Sequence, residues 1–173
     1  MVLSFFYLAS VAMAEQTVPS VIAAPVAVAT EEVSPITKPE SMLYKKELRT
    51  NIFQVYKNIF TALENNGYFV LFEPNIGKNL SHFAQRWGKD YNKNKLEEIR
   101  SMVICNGWYA NQISNLDPDM LALCPLRVTF IYKEGVTTVV FVRPSKVAAN
   151  SPALKAATEL EQDLIRTIEG VMK

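Results

Sequence analysis

The residues able to do chemistry are few: two cysteines, Cys105 and Cys124, and a single histidine, His82. Cys105 opens the run Cys105-Asn106-Gly107-Trp108, and Cys124 is followed by Pro125. An even cysteine count in an exported chain favours a disulfide. Closing a loop of this length stabilises a fold by roughly 3 kcal/mol in the chain-entropy model. Two other readings stay open. In one, both thiols are reduced, buried and too far apart to bond, and act as small hydrophobes. In the other, Cys105 sits before a short helix whose free amides and dipole favour the thiolate. It would then be a redox or sulfur-carrying nucleophile with Cys124 as its resolving residue. Asn106, Gly107, Trp108 and Pro125 surround the candidate site under either chemical reading. The spacing is not Cys-x-x-Cys, so a thioredoxin-like mechanism has no support.

The remaining polar motifs are weaker. His82, beside Ser81 and Phe83, has no titratable partner in the sequence and reads as a surface or hydrogen-bonded residue. Glu97-Glu98 flanks a strand start, where neighbouring side chains face opposite ways. Tyr68, Phe69, Phe72, Phe83 and Trp87 are able to line a ligand pocket, but core packing explains them more simply. A closed zinc site needs four ligands, which one histidine and two cysteines do not supply. Phosphate loop, nucleophile elbow and paired metal-binding histidines are lacking in the sequence, so no cofactor or metal is indicated and catalytic residues stay unassigned.

The 173 residues are 49% hydrophobic and 20% charged, with a net charge of +1, which suits one globular domain plus an extension. The charges are interspersed, unlike the clustered basic face of a nucleic-acid binder, and Lys89, Lys93 and Lys95 read as a solvated loop. Val2 to Ala14 is apolar and ends in Ala12-Met13-Ala14, the pattern of a secretory signal, although no Lys or Arg precedes it. The run is shorter than the ~20 residues that span a bilayer. Residues 1–14 are therefore expected to be a cleaved leader, leaving no stable membrane span and placing the protein in the periplasm or outside the cell. Residues 15–40 carry Pro19, Pro25, Pro35 and Pro39 and read as an extended tether. Residues 41–173 are the folded domain.

Within that domain, alternation predicts a strand over 42–48. Ile52, Val55, Tyr56, Ile59, Phe60 and Leu63 then mark one face of a helix capped by Thr50 or Asn51 and ended by Asn66-Gly67. Tyr68 to Phe72 is a short strand stopped by Glu73-Pro74. Leu80, Phe83, Ala84 and Trp87 have helical spacing, closed by Gly88. Residues 99–104 form a strand delivering Cys105 to a turn, and 108–116 a short helix before Asp117-Pro118. Residues 126–132 and 137–142 form a hairpin through Lys133-Glu134-Gly135. A final helix, capped by Asn150 or Ser151 with Pro152 near its first turn, carries an apolar stripe of Ala157, Leu160, Leu164, Ile168 and Val171. Glu159, Glu161, Asp163, Arg166 and Glu169 are expected on its wet side. Such a helix must cover something apolar, and the hairpin sheet is the obvious partner.

The order Cys105-Asn106, Asp117-Pro118, Leu123-Cys124-Pro125 and a strand ending in Tyr132 resembles the DUF302 domain, in particular its exported subgroup. The likeness covers roughly Ser41 to Lys173. Gly107 departs from it, where many relatives carry proline or another residue. The resemblance implies an α+β fold of the TATA-binding-protein class, an antiparallel sheet with helices packed on one face, and a tendency to dimerise. The family has no assigned activity. The expectation is a binding or interaction module that pairs with itself or with a periplasmic protein through its sheet or the Cys105 turn. Thiol chemistry at Cys105 is the alternative, and a small apolar or sulfur ligand between sheet and helices is a third reading.

Overall fold

The computed structural model describes residues 41–172. The expected leader and tether lie outside the described residues. The backbone of the domain is a five-stranded antiparallel sheet of β1 (Leu43–Leu48), β2 (Phe69–Phe72), β3 (Glu98–Cys105), β4 (Leu126–Lys133) and β5 (Val136–Val142). Its spatial order is β1-β5-β4-β3-β2. Helices α1 (Ile52–Asn65), α2 (Ile76–Ser81), α3 (Ala84–Trp87), α4 (Gly107–Leu116), α5 (Pro144–Val147) and α6 (Leu154–Val171) connect or follow the strands. Two 3-10 turns, Gly88–Asp90 and Pro118–Leu123, complete the order. This is the α+β architecture with an antiparallel sheet that the sequence suggested.

Register decides what the sheet buries. Met102 pairs with Val128, Ile104 with Leu126 and Phe130 with Val139. Because side chains alternate faces, these residues point together to one side. There they meet Ile52, Val55, Ile59 and Leu63 of α1 and Leu160, Leu164 and Ile168 of α6 in a single buried cluster. The hairpin turns at Glu134-Gly135, both at positive φ, where glycine carries no steric penalty. Helix α1 starts as expected, with the Asn51 side chain accepting from the Phe53 amide at 2.9 Å.

The structure corrects three sequence expectations. Helix α6 begins at Leu154, and neither Asn150 nor Ser151 is its cap; the Ser151 hydroxyl instead accepts from the Ala153 amide and donates to Asp117. Glu161 does not lie on the wet side: it is buried at 3% exposure, accepting from Arg143 Nε at 2.6 Å and from both the amide and the hydroxyl of Ser145. Helix α5, which Glu161 holds by its first turn, carried no periodic signal. Of the five aromatics assigned to the core, Tyr68 is buried, whereas Phe69, Phe72, Phe83 and Trp87 are exposed. Strand β2 is the sheet's edge, and its Val70 amide donates to the Glu64 carboxylate at 2.8 Å.

Tyr68 donates to Asp163 at 3.0 Å from within the core. Burial first, and then the Asp163 carboxylate, push its phenol above the ordinary 10.0. The folded state thus keeps the phenol neutral while the unfolded chain ionises above pH ~10. Stability from this group is whole below that pH and falls above it, by about 1.4 kcal/mol per pH unit, until the folded value is passed. Urea unfolding between about pH 9 and about pH 11 is expected to show a shallower alkaline fall for Tyr68→Phe than for the natural chain. Parallel slopes in the two proteins would exclude Tyr68 as a source of the alkaline sensitivity.

Candidate functional site

Cys105 is the last residue of β3, and Cys124 follows the 3-10 turn that leads into β4. Adjacent antiparallel strands bring the two ends together, with Cα atoms 5.8 Å apart, and the cysteines form a disulfide. Between them lie α4 and the 3-10 turn, so the bond staples a small helical cap onto one end of the sheet. The caps of these elements are filled by side chains. Asn106 accepts from the amides of Trp108 at 3.1 Å and Tyr109 at 3.3 Å, and Asp117 accepts from Asp119 at 3.1 Å. The amides that would favour a thiolate at Cys105 are therefore already engaged by the Asn106 carboxamide.

The other residues expected around the cysteines divide. Gly107 opens α4, and a Cβ there would meet nothing within 4 Å, so space alone does not require glycine at this position. Trp108 stands out at 65% exposure, and Pro125 is exposed beyond a cis peptide bond. Beneath the disulfide, Ile113, Leu123 and Leu160 help line a space of about 10 Å³, the limit for a single water molecule. His82 lies at the end of α2, exposed. Among the described residues no three His, Cys, Asp or Glu side chains gather as a metal site.

The larger feature lies on the sheet, through which pairing is expected, at residues without a motif of their own. On the face of the sheet opposite the core point Leu43, Val140 and Val142, with Val103, Thr129 and Ile131 beside them. Leu43 and Val142 are 49% and 48% exposed. At the β2 edge, Phe69 pairs with Cys105 and Phe72 with Val103, and these two rings are 61% and 64% exposed. A groove of about 670 Å³ crosses part of this face, floored by Val103, Thr129, Val140 and Val142 and walled by Ala122 and Pro125. The disulfide thus anchors the wall of the groove: Pro125 follows Cys124 directly. The signal for this face was present in the sequence, since 69–72, 102–104 and 139–142 are apolar at successive positions. A strand covered on one face alone needs apolar residues only at alternate ones.

The chain matches the family model described as "Domain of unknown function DUF302" over residues 44–171. Its fold is similar to the crystal structure of the uncharacterized conserved protein DUF302 from Bacillus stearothermophilus, at 18% sequence identity and a TM-score of 0.65. The likeness covers 76% of this chain and 99% of that one. No curated protein matches the sequence. With the family model spanning most of the chain and the same architecture in that neighbour, the protein belongs to the DUF302 family.

Proposed function

We propose that this protein is an exported interaction module that pairs with a second copy of itself through the open face of its sheet. The observation that carries the reading is the apolar face formed by Leu43, Phe69, Phe72, Val103, Val140 and Val142, opposite the helices. Arg127 and Lys45 interrupt this face, beside Val103 and Val140, but exposed apolar side chains gathered on one side of a sheet favour a contact site. The occupant is argued from shape and charge. A broad, twisted sheet face is matched by another sheet face packed about 10 Å away with interdigitating side chains. A net charge of +1 leaves little repulsion between copies. Lys45 and Glu47 lie on the same face of β1 and pair with each other, so the rim presents no unbalanced charge there. The apolar leader and the disulfide favour action outside the cytosol.

Thiol chemistry at Cys105 has less support. Asn106 occupies the helix amides that would lower the thiol's pKa, and the space beneath the disulfide admits no substrate larger than water.

Val140→Lys is the direct test. Placing a second ammonium on the face, beside Lys45, is expected to weaken self-association at least about tenfold, or about 1.4 kcal/mol, with the monomer's circular dichroism unchanged. Sedimentation velocity reads both. A natural chain that sediments as a monomer at high micromolar concentration, or a variant that associates as well as the natural chain, would overturn the pairing.

A further inference from the structure

A second cavity, of about 420 Å³, shares no lining residue with the groove on the open face and does not depend on the pairing proposed for it. It lies between α2 and the 88–97 loop, within the usual size range of small-molecule sites. Its walls are built from the chain's own bonds. The Asn92 side chain both donates to the Leu96 carbonyl at 2.8 Å and accepts from the Leu96 amide at 2.9 Å, closing the loop on itself. Asn92 and Lys95 hold positive φ values of 42° and 53°, a conformation that asparagine tolerates and lysine rarely adopts. Such backbone persists where the surroundings over-determine it, and it concentrates at ligand sites. On the other side, a Cβ at Gly77 would lie 3.2 Å from the Ile99 backbone nitrogen, a tight contact that a side chain there would meet only if β3 gave by a few tenths of an ångström. Glu97 is fixed by the Glu134 amide at 2.6 Å, and Glu98 by Arg100 at 2.9 Å.

The lining chemistry narrows the ligand. Trp87 offers an indole that is 40% exposed, with Phe83 stacked on it at 5.0 Å. Lys78, on the cavity wall, is purely a donor. Glu97 and Glu98 are purely acceptors, and each has one carboxylate oxygen outside the bonds just named. Asn94 both donates and accepts, while Asp90 and Lys93 satisfy each other at 2.6 Å. A bare anion would meet Asp90, Glu97 and Glu98, and a bare cation would meet Lys78. A hydroxyl group, donor and acceptor at once, satisfies both signs. We propose that this cavity binds a neutral polyhydroxylated ring of the pyranose class. Its apolar face lies on the Trp87 indole and its hydroxyls bond to Lys78, Asn94, Glu97 and Glu98.

The chain has two tryptophans, so Trp108→Phe leaves Trp87 as the reporting indole. The full chain carrying that change is titrated with methyl β-glucopyranoside, methyl β-galactopyranoside and methyl α-mannopyranoside. A saturable change in emission is expected for at least one. In calorimetry, Trp87→Ala should lose the heat of binding. Lys78→Met, on an exposed side chain without a structural bond, should weaken it at least about tenfold. The lysine variant decides the matter if the tryptophan variant fails to fold. A linear response to all three glycosides, undiminished affinity in Lys78→Met, or saturation by sodium phosphate or ammonium chloride with none by glycosides would each overturn the proposal.

Discussion

Glu161→Ala is expected to lower the stability of the domain by about 3 kcal/mol. The carboxylate is 3% exposed and is the shared acceptor for Arg143 Nε, the Ser145 amide and the Ser145 hydroxyl. Removing it leaves the Ser145 amide and hydroxyl facing a hole that alanine does not fill, and takes a carboxylate from beside Arg143. The consequence is local before it is global. Helix α5 is one turn long and has no side-chain cap of its own, so its attachment to α6 rests heavily on this acceptor. Urea unfolding followed by circular dichroism measures the loss. Glu161→Gln, which keeps one acceptor oxygen, should recover part of it. A loss below about 1 kcal/mol for the alanine variant would place this carboxylate among ordinary surface pairs.

Removing the disulfide, which lies at the same end of the sheet, is expected to cost a similar amount. The cysteines are separated by 19 positions, a loop whose closure contributes about 3 kcal/mol through the unfolded chain. Cys105→Ser with Cys124→Ser together, or the natural chain under reductant, should unfold at correspondingly lower urea. The fold should survive, since the cluster around Ile104, Val128, Phe130 and Leu164 is built without the sulfurs. Hydrogen exchange should quicken in α4 and the 3-10 turn well before it does in β3 or β4. An unchanged urea midpoint together with unchanged exchange at 107–123 would leave the bond without a structural role.

Long periodic segments were legible in the sequence for a physical reason. Helix α1, helix α6 and the β4–β5 hairpin each repeat an apolar spacing several times, so one misleading residue does not obscure the pattern. Helix α5 has four residues and no room for a repeat. Glu161 shows a different failure. It lies four positions after Ala157 and three before Leu164, squarely in the buried stripe, yet its charge suggested solvent. Spacing was the better guide than residue type. The exposed rings of Phe69 and Phe72 make the converse point. Aromatic residues favour burial, but an edge strand with helices on one side of the sheet cannot bury both of its faces. At the candidate site, the pairing of Cys105 with Cys124 was open on the sequence, because it depends on strand register that only the fold supplies. The open face was readable from unbroken apolar runs, and the cavity beside Trp87 was not, because its walls come from loop geometry.

The carboxylate of Glu64 resting on the Val70 amide bears on how far assembly runs. Edge-by-edge growth needs a free row of backbone donors and acceptors, and such growth has no natural end. Here one margin has a main-chain donor already capped, and the opposite margin is a six-residue strand bearing Lys45, Lys46 and Glu47. If the copies pair as proposed, a capped donor on one border and charged side chains on the other favour a closed pair over an open filament. Concentrated solutions should then hold a fixed stoichiometry instead of thickening into fibres.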